Sequence, residues 1–144
     1  MATLNPYLTF NGNCEEAFKF YKSVFGGAFL RVERFKNMPP MEGKELPESA
    51  QEKIMHISLP ISKETVLMGC DANPMMGEVS IGQNISLSVN AKSKDEADKI
   101  FRKLSEGGKI TLPIAEQFWN SYFGMITDKY NNIWMVNFEH QKRH

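Results

Sequence analysis

The sequence is poor in the residues that usually mark a site. Only two cysteines, Cys14 and Cys70, occur in 144 residues. They are distant in sequence and belong to no C-x-x-C or Cys/His cluster, which argues against a zinc site and against a disulfide framework. Reduced thiols in a cytoplasmic protein are the expectation. Lys and Arg number 17, as do Asp and Glu, so the basic footprint of a nucleic-acid or anionic-membrane binder is missing. No apolar run is long enough to span a bilayer, and the N-terminus lacks a basic segment followed by an apolar core. Neither a membrane nor a nucleic acid is an expected partner; a small molecule is. Of the three histidines, only His56 lies outside the C-terminal stretch 139–144, which reads as a polar, solvated tail. No phosphate-cradling glycine motif occurs, so Gly26-Gly27 and Gly107-Gly108 read as helix stops.

What the chain does contain is one unit written twice. A short apolar strand, Tyr7-Leu8-Thr9-Phe10, runs into a helix in which Ala17, Phe20, Tyr21 and Val24 form one stripe. Ile85 to Val89 runs into a second helix, where Ala97, Ile100, Phe101 and Leu104 repeat that stripe. Spacing of i, i+3, i+4 and i+7 packs one helical face on a sheet. Asn13 with Glu16, and Ser93 with Glu96, read as capping boxes that satisfy the first-turn N–H groups. Three strand-like segments follow each helix: 28–35, 54–61 and 65–70, then 109–115, 119–127 and 133–138.

Such self-similarity predicts an α+β fold of two βαβββ modules, with one curved mixed sheet around a cleft and the helices outside. Module one spans about 1–70, a connector 71–82, module two 83–138, all in one domain. The polar, proline-containing stretch 37–51 reads as a surface loop, lid or dimer arm. Met75 and Met76 in the connector are candidates to cover the cleft. Asp71 and Asp128 read as turn formers.

Strand alternation assigns the faces. With Met55, Ile57 and Leu59 toward the helix, His56 and Ser58 point the other way, as do Tyr7 and Thr9 of the first strand. In module two Asn84, Ser86 and Ser88 take the corresponding side. The expected pocket is lined by Tyr7, Thr9, His56, Ser58, Met68, Cys70, Ser86, Trp119, Phe123, Met125 and Met135, mostly apolar with a few polar anchors. His56 reads either as a general base or as a hydrogen-bonded lining residue without an evident carboxylate partner. Cys70 reads as an inert thiol rather than a nucleophile. Trp119 and Phe123 either stack on a flat ligand or form a hydrophobic wall. Cys14, in the first helical turn, reads as an exposed thiol beside the positive end of the helix dipole.

The opening Pro6-Tyr7-Leu8-Thr9-Phe10-Asn11-Gly12, followed by Glu16-Ala17 and Phe20-Tyr21, resembles the PhnB-like branch of the vicinal oxygen chelate superfamily. So does the ending: Phe118-Trp119, Phe123-Gly124, Asp128-Lys129-Tyr130 and Trp134-Met135-Val136-Asn137. That superfamily includes glyoxalase I, bleomycin and fosfomycin resistance proteins and extradiol dioxygenases. Its enzymes hold a divalent metal with four side chains, and the resemblance puts Asn5, Met68, Asn84 and Met135 at those positions. Thioethers and neutral amides suit hard divalent ions poorly, so the expectation is no metal and no cofactor. A register slip that put Pro6 or Tyr7 at the corner would not restore the usual ligands. Asn120 and Asn131 stand where this branch often has glycine, and Asn tolerates left-handed turns. Some PhnB-like sequences carry a demethylubiquinone methyltransferase label; this chain has no glycine-rich nucleotide loop after a strand. The resemblance implies a homodimer and two function classes. One is metal-free binding of a small apolar or aromatic molecule. The other is a glyoxalase-type lyase or dioxygenase with atypical ligands or with His56 as base.

Overall fold

The computed structural model describes residues 2–39, 46–74 and 77–140. Met75 and Met76, residues 40–45 of the expected surface loop and residues 141–144 of the tail lie outside the described residues. The chain divides into two compact units, 1–80 and 81–144.

Unit one contains β1 (Tyr7–Phe10), α1 (Cys14–Phe25), β2 (Arg31–Arg34), two single 3-10 turns (Phe35–Asn37 and Glu48–Ala50), β3 (Ile54–Pro60) and β4 (Val66–Asp71). Its sheet runs β1-β4-β3-β2, with β1 parallel to β4 and the other pairs antiparallel. The predicted stripe Ala17, Phe20, Tyr21 and Val24 is buried, and Cys14 and Phe18 join it. Phe18 meets Phe10 and Tyr21 edge to face, at 6.1 and 5.7 Å between ring centroids. Its full burial is worth about 2–3 kcal/mol. Space for that ring comes from Gly69 on β4, where an added Cβ would sit 2.6 Å from Phe18 Cε1 and 2.7 Å from Leu8 O.

The start of α1 departs from the sequence reading. Asn13 makes no capping hydrogen bond with its side chain. Asp71, at the end of β4, takes that role: its Oδ1 accepts from the backbone N–H of Gly12 at 3.0 Å and of Cys14 at 2.9 Å. Its Oδ2 accepts from Ile54 N–H at 2.9 Å. Asp71 is therefore a buried carboxylate joining β4, α1 and β3, not a turn former. A charged acceptor binds backbone donors more strongly than a neutral amide does, which is why the distant aspartate displaces the local asparagine.

Unit two contains β5 (Leu87–Asn90), α2 (Lys94–Ser105), β6 (Lys109–Glu116), β7 (Ser121–Thr127) and β8 (Ile133–Glu139). Its sheet runs β5-β8-β7-β6, again with one parallel pair, β5 with β8. Each unit is thus the expected βαβββ module with its own four-stranded mixed sheet. Here the predicted cap forms, Ser93 Oγ accepting from Glu96 N–H at 3.0 Å, while Glu96 reaches back to Lys92 N–H. Asp128 does shape a turn, accepting from Tyr130 and Asn132 N–H, and its second oxygen holds Trp134 Nε1 at 2.8 Å. Asn120 and Asn131 adopt positive φ, 66° and 70°, in keeping with the tolerance of asparagine for that region. His140 is not simply solvated tail: its Nε2 lies 2.8 Å from Glu116 Oε2. Among the described residues no helix is long and apolar enough to cross a membrane.

Candidate functional site: the helix-remote face of each sheet

In unit one Leu8, Phe10, Ile57, Leu67 and Gly69 lie on the side of α1, and the alternate residues form the opposite face. One row across that face runs Tyr7, Met68, Ser58, Arg31. The adjoining positions pair Thr9 with Cys70 and Glu33 with His56. All six predicted residues of this module, Tyr7, Thr9, His56, Ser58, Met68 and Cys70, therefore share one face.

Side chains on this face touch in pairs. Tyr7 Oη lies 3.3 Å from His56 Nδ1, with the rings 5.7 Å apart. Burial first, then the neighbouring Cys70 thiol, pushes the Tyr7 phenol well above its ordinary range. Where the Tyr7 phenol donates to Nδ1, Nε2 of the imidazole carries the N–H. Thr9 Oγ1 and Cys70 Sγ are 3.9 Å apart. Arg31 donates to Glu33 Oε1 along β2. Neither residue was singled out from the sequence, although alternation along 31–34 would have put both on the His56 face. Glu33, directly across from His56, is the nearby carboxylate that sequence reasoning did not find. Ser58 is only 3 % exposed, and its hydroxyl has no hydrogen-bond partner among the described residues.

In unit two the comparable face carries Ser88, Met135, Met125 and Leu112 in one row and Asn90, Asn137, Phe123 and Ala115 in the next. Trp119 sits in the turn between β6 and β7, edge to face with Phe123 at 5.6 Å and about half exposed. Ser86 precedes β5, and Ser88 is the residue paired with Met135.

Of the positions given by the resemblance, Met68 and Met135 lie on the strands and Asn5 and Asn84 precede them. Asn5 lies before β1, and its Oδ1 accepts from Val66 N–H at 2.9 Å, so the amide oxygen is already engaged. The residue opposite Met68 is Tyr7. Asn84 lies before β5, exposed, and the residue opposite Met135 is Ser88. A thioether beside a protonated phenol, and a thioether beside an alcohol, offer no anionic oxygen or imidazole to a hard divalent ion. The donor sets of the two modules do not fit the metal that the superfamily resemblance implies. Among the described residues no three His, Cys, Asp or Glu side chains converge as a metal-binding group.

Cys14 is not the exposed thiol that its place in the first turn suggested. It is fully buried, and burial, reinforced by the Asp71 carboxylate, pushes its thiol far up. Burial, with the Asp71 charge behind it, outweighs the helix dipole. On the α1 side of the sheet a cavity of about 550 Å³ opens at the helix start, between Asn13, Glu15, Lys19, Glu52 and Lys53. It is charged with both signs, whereas on the face that carries Tyr7 and His56 the charged side chains are the paired Arg31 and Glu33 of β2.

The sequence profile of the 3-demethylubiquinone-9 3-methyltransferase family matches residues 2–137. This chain belongs to that PhnB-like family. The protein YjdN of Escherichia coli (strain K12) is 32% identical over 143 residues, covering 93% of each chain. The crystal structure of PA1353 from Pseudomonas aeruginosa is 36% identical, spans 98% of this chain and all of its own, and superposes with a TM-score of 0.85. A glyoxalase/bleomycin resistance protein/dioxygenase family enzyme from Burkholderia phytofirmans PsJN is 16% identical over 96% of this chain and all of its own, with a TM-score of 0.63. That likeness shows the fold alone. The family and the paired βαβββ modules expected from the sequence are thus found, the modules carrying two four-stranded sheets where one curved sheet was expected.

Proposed function

We propose that this family member binds a small, largely apolar or aromatic molecule on the helix-remote faces of its sheets, without a chelated divalent metal. The observation that supports this most is the gathering of Tyr7, Thr9, His56, Ser58, Met68 and Cys70 on one face of unit one. Apolar sulfur side chains there alternate with hydroxyls and an imidazole, the composition of a small-molecule site. Met125, Met135, Phe123 and Trp119 extend the same chemistry in unit two. Methionine adapts to ligand shape, and the exposed aromatics offer faces for stacking.

The family's description names a methyltransferase. In this chain the loops after β1 and β5, Asn11–Asn13 and Ala91–Ser93, hold one glycine between them, so no glycine-rich nucleotide cradle supports methyl transfer here. A second reading has its own support: in the tautomer whose Nδ1–H donates to the Tyr7 oxygen, 3.3 Å away, His56 Nε2 carries the lone pair that a general base requires. On that reading the chain is a glyoxalase-type lyase or dioxygenase with atypical ligands. Metal analysis of purified protein, combined with quenching of Trp119 fluorescence by aromatic compounds, separates the two. We further propose that the protein acts in the cytoplasm as a homodimer, since β1, β2, β5 and β6 border their ladders and unpaired borders invite pairing.

A further inference from the structure

We infer that Ser58 and His56 form a two-point hydrogen-bonding anchor for an uncharged carbonyl or carboxamide group attached to an aromatic body. This rests on the proposed binding role of the unit-one face and names its ligand class. The two residues are i and i+2 on β3, so both side chains project from the same face about 7 Å apart. Ser58 is 3 % exposed, with a hydroxyl unpartnered among the described residues. Buried polar groups in folded proteins nearly always have a partner, so this one marks a place where the protein lacks a donor or acceptor that a ligand can supply.

Its row neighbours are Met68 and Arg31. Met68 is half-buried and flexible, able to swing aside and then lie along an aromatic ring. Arg31 is already paired with Glu33 on the same face. Its positive charge is therefore compensated, and a ligand carboxylate finds no free cation there. His56 Nε2–H donates to a carbonyl oxygen when Tyr7 holds Nδ1, and the Ser58 hydroxyl either donates to that oxygen or accepts from an amide N–H. A carboxamide satisfies both; a carboxylate adds charge without a partner.

The experiment is a two-dimensional NMR titration of the full chain with benzamide and, separately, benzoate, for the native protein and for Ser58→Ala, with thermal unfolding of both. The expected result is saturable benzamide shifts around residues 56–58, benzoate binding at least about fivefold weaker, and about fivefold loss of benzamide affinity in Ser58→Ala. The unfolding midpoint of Ser58→Ala is expected to be unchanged or raised, because the substitution removes an unsatisfied group. Equal benzamide affinity in native and variant protein overturns the anchor while leaving face binding intact, as does benzoate binding as tight as benzamide. A Ser58→Ala protein that is strongly destabilised or unfolded also overturns it, since the hydroxyl then has a structural partner. If neither compound shifts any residue of the face, the binding role of the face fails and the anchor with it.

Discussion

Asp71 Oδ1 accepts a hydrogen bond from the backbone N–H of Cys14 at 2.9 Å, fixing the start of α1 to the end of a strand 57 residues later. The same carboxylate also holds Gly12 and Ile54, so one buried side chain closes the unit-one core against β1, β3 and β4. Replacing it with Asn leaves one oxygen and puts an N–H₂ where an acceptor is needed. Asp71→Asn is expected to lose about 3 kcal/mol of stability, read from the denaturant midpoint. A loss below about 1 kcal/mol would mean that water or a neighbour replaces the carboxylate.

The two helix starts should respond differently to the same change. Ser93→Ala removes a cap that accepts Glu96 N–H and is expected to cost about 1 kcal/mol. Asn13→Ala removes no side-chain cap and should fall within about 0.5 kcal/mol of native. Equal costs in denaturant unfolding would contradict the assignment of the α1 cap to Asp71.

Burial separates the thiols. Cys14 is fully buried with its thiol pushed far up, so at pH 8 its thiolate fraction is negligible and alkylation must await unfolding. Cys70 is half-buried. Pulsed alkylation with mass spectrometry is expected to modify Cys70 first and Cys14 only at the rate of global opening. Early labelling of Cys14 would show that the helix start opens locally.

Glu15 is held below the usual carboxylate range, chiefly by its hydrogen bonds to Arg34 and against a smaller opposing effect of burial. A depressed folded-state value gives stability that is present above the unfolded value, about 4.3, and lost as pH falls through the folded one. Because both side chains are substantially solvated, the contribution is about 0.5 kcal/mol and declines with salt. Arg34→Met should flatten the acid limb of the stability profile below about pH 5 at low salt, and an unchanged limb would remove this pair from the account.

Much of this molecule was legible in its sequence because the repeat is carried by local periodicity. The stripe Ala17, Phe20, Tyr21, Val24 and its copy in α2 fix both helices, and alternation along β3 and β4 placed His56, Ser58, Met68 and Cys70 on one face. Long-range polar contacts were not legible. Asn13 followed by Glu16 has the local signature of a cap, yet the competing acceptor comes from Asp71, whose reach depends on how β4 ends beside α1. Glu33 escaped notice for the same reason, since a cross-strand neighbour of His56 is defined by register rather than by sequence spacing. The positions Asn5 and Asn84, which the resemblance supplied, precede the parallel ladders that begin at Tyr7 and Leu87, so Met68 and Met135 stand opposite Tyr7 and Ser88.

The central claim is that the helix-remote faces take up a small apolar or aromatic molecule without a metal. Methionine methyls report it directly, since Met68, Met125 and Met135 lie on those faces. A titration of ¹³C-methyl-methionine protein, dialysed against chelator, with 1-naphthol as probe is predicted to give saturable shifts at Met68, Met125 and Met135. Absence of saturable shifts at all three face methionines, or their appearance only after a divalent metal is restored, would contradict it.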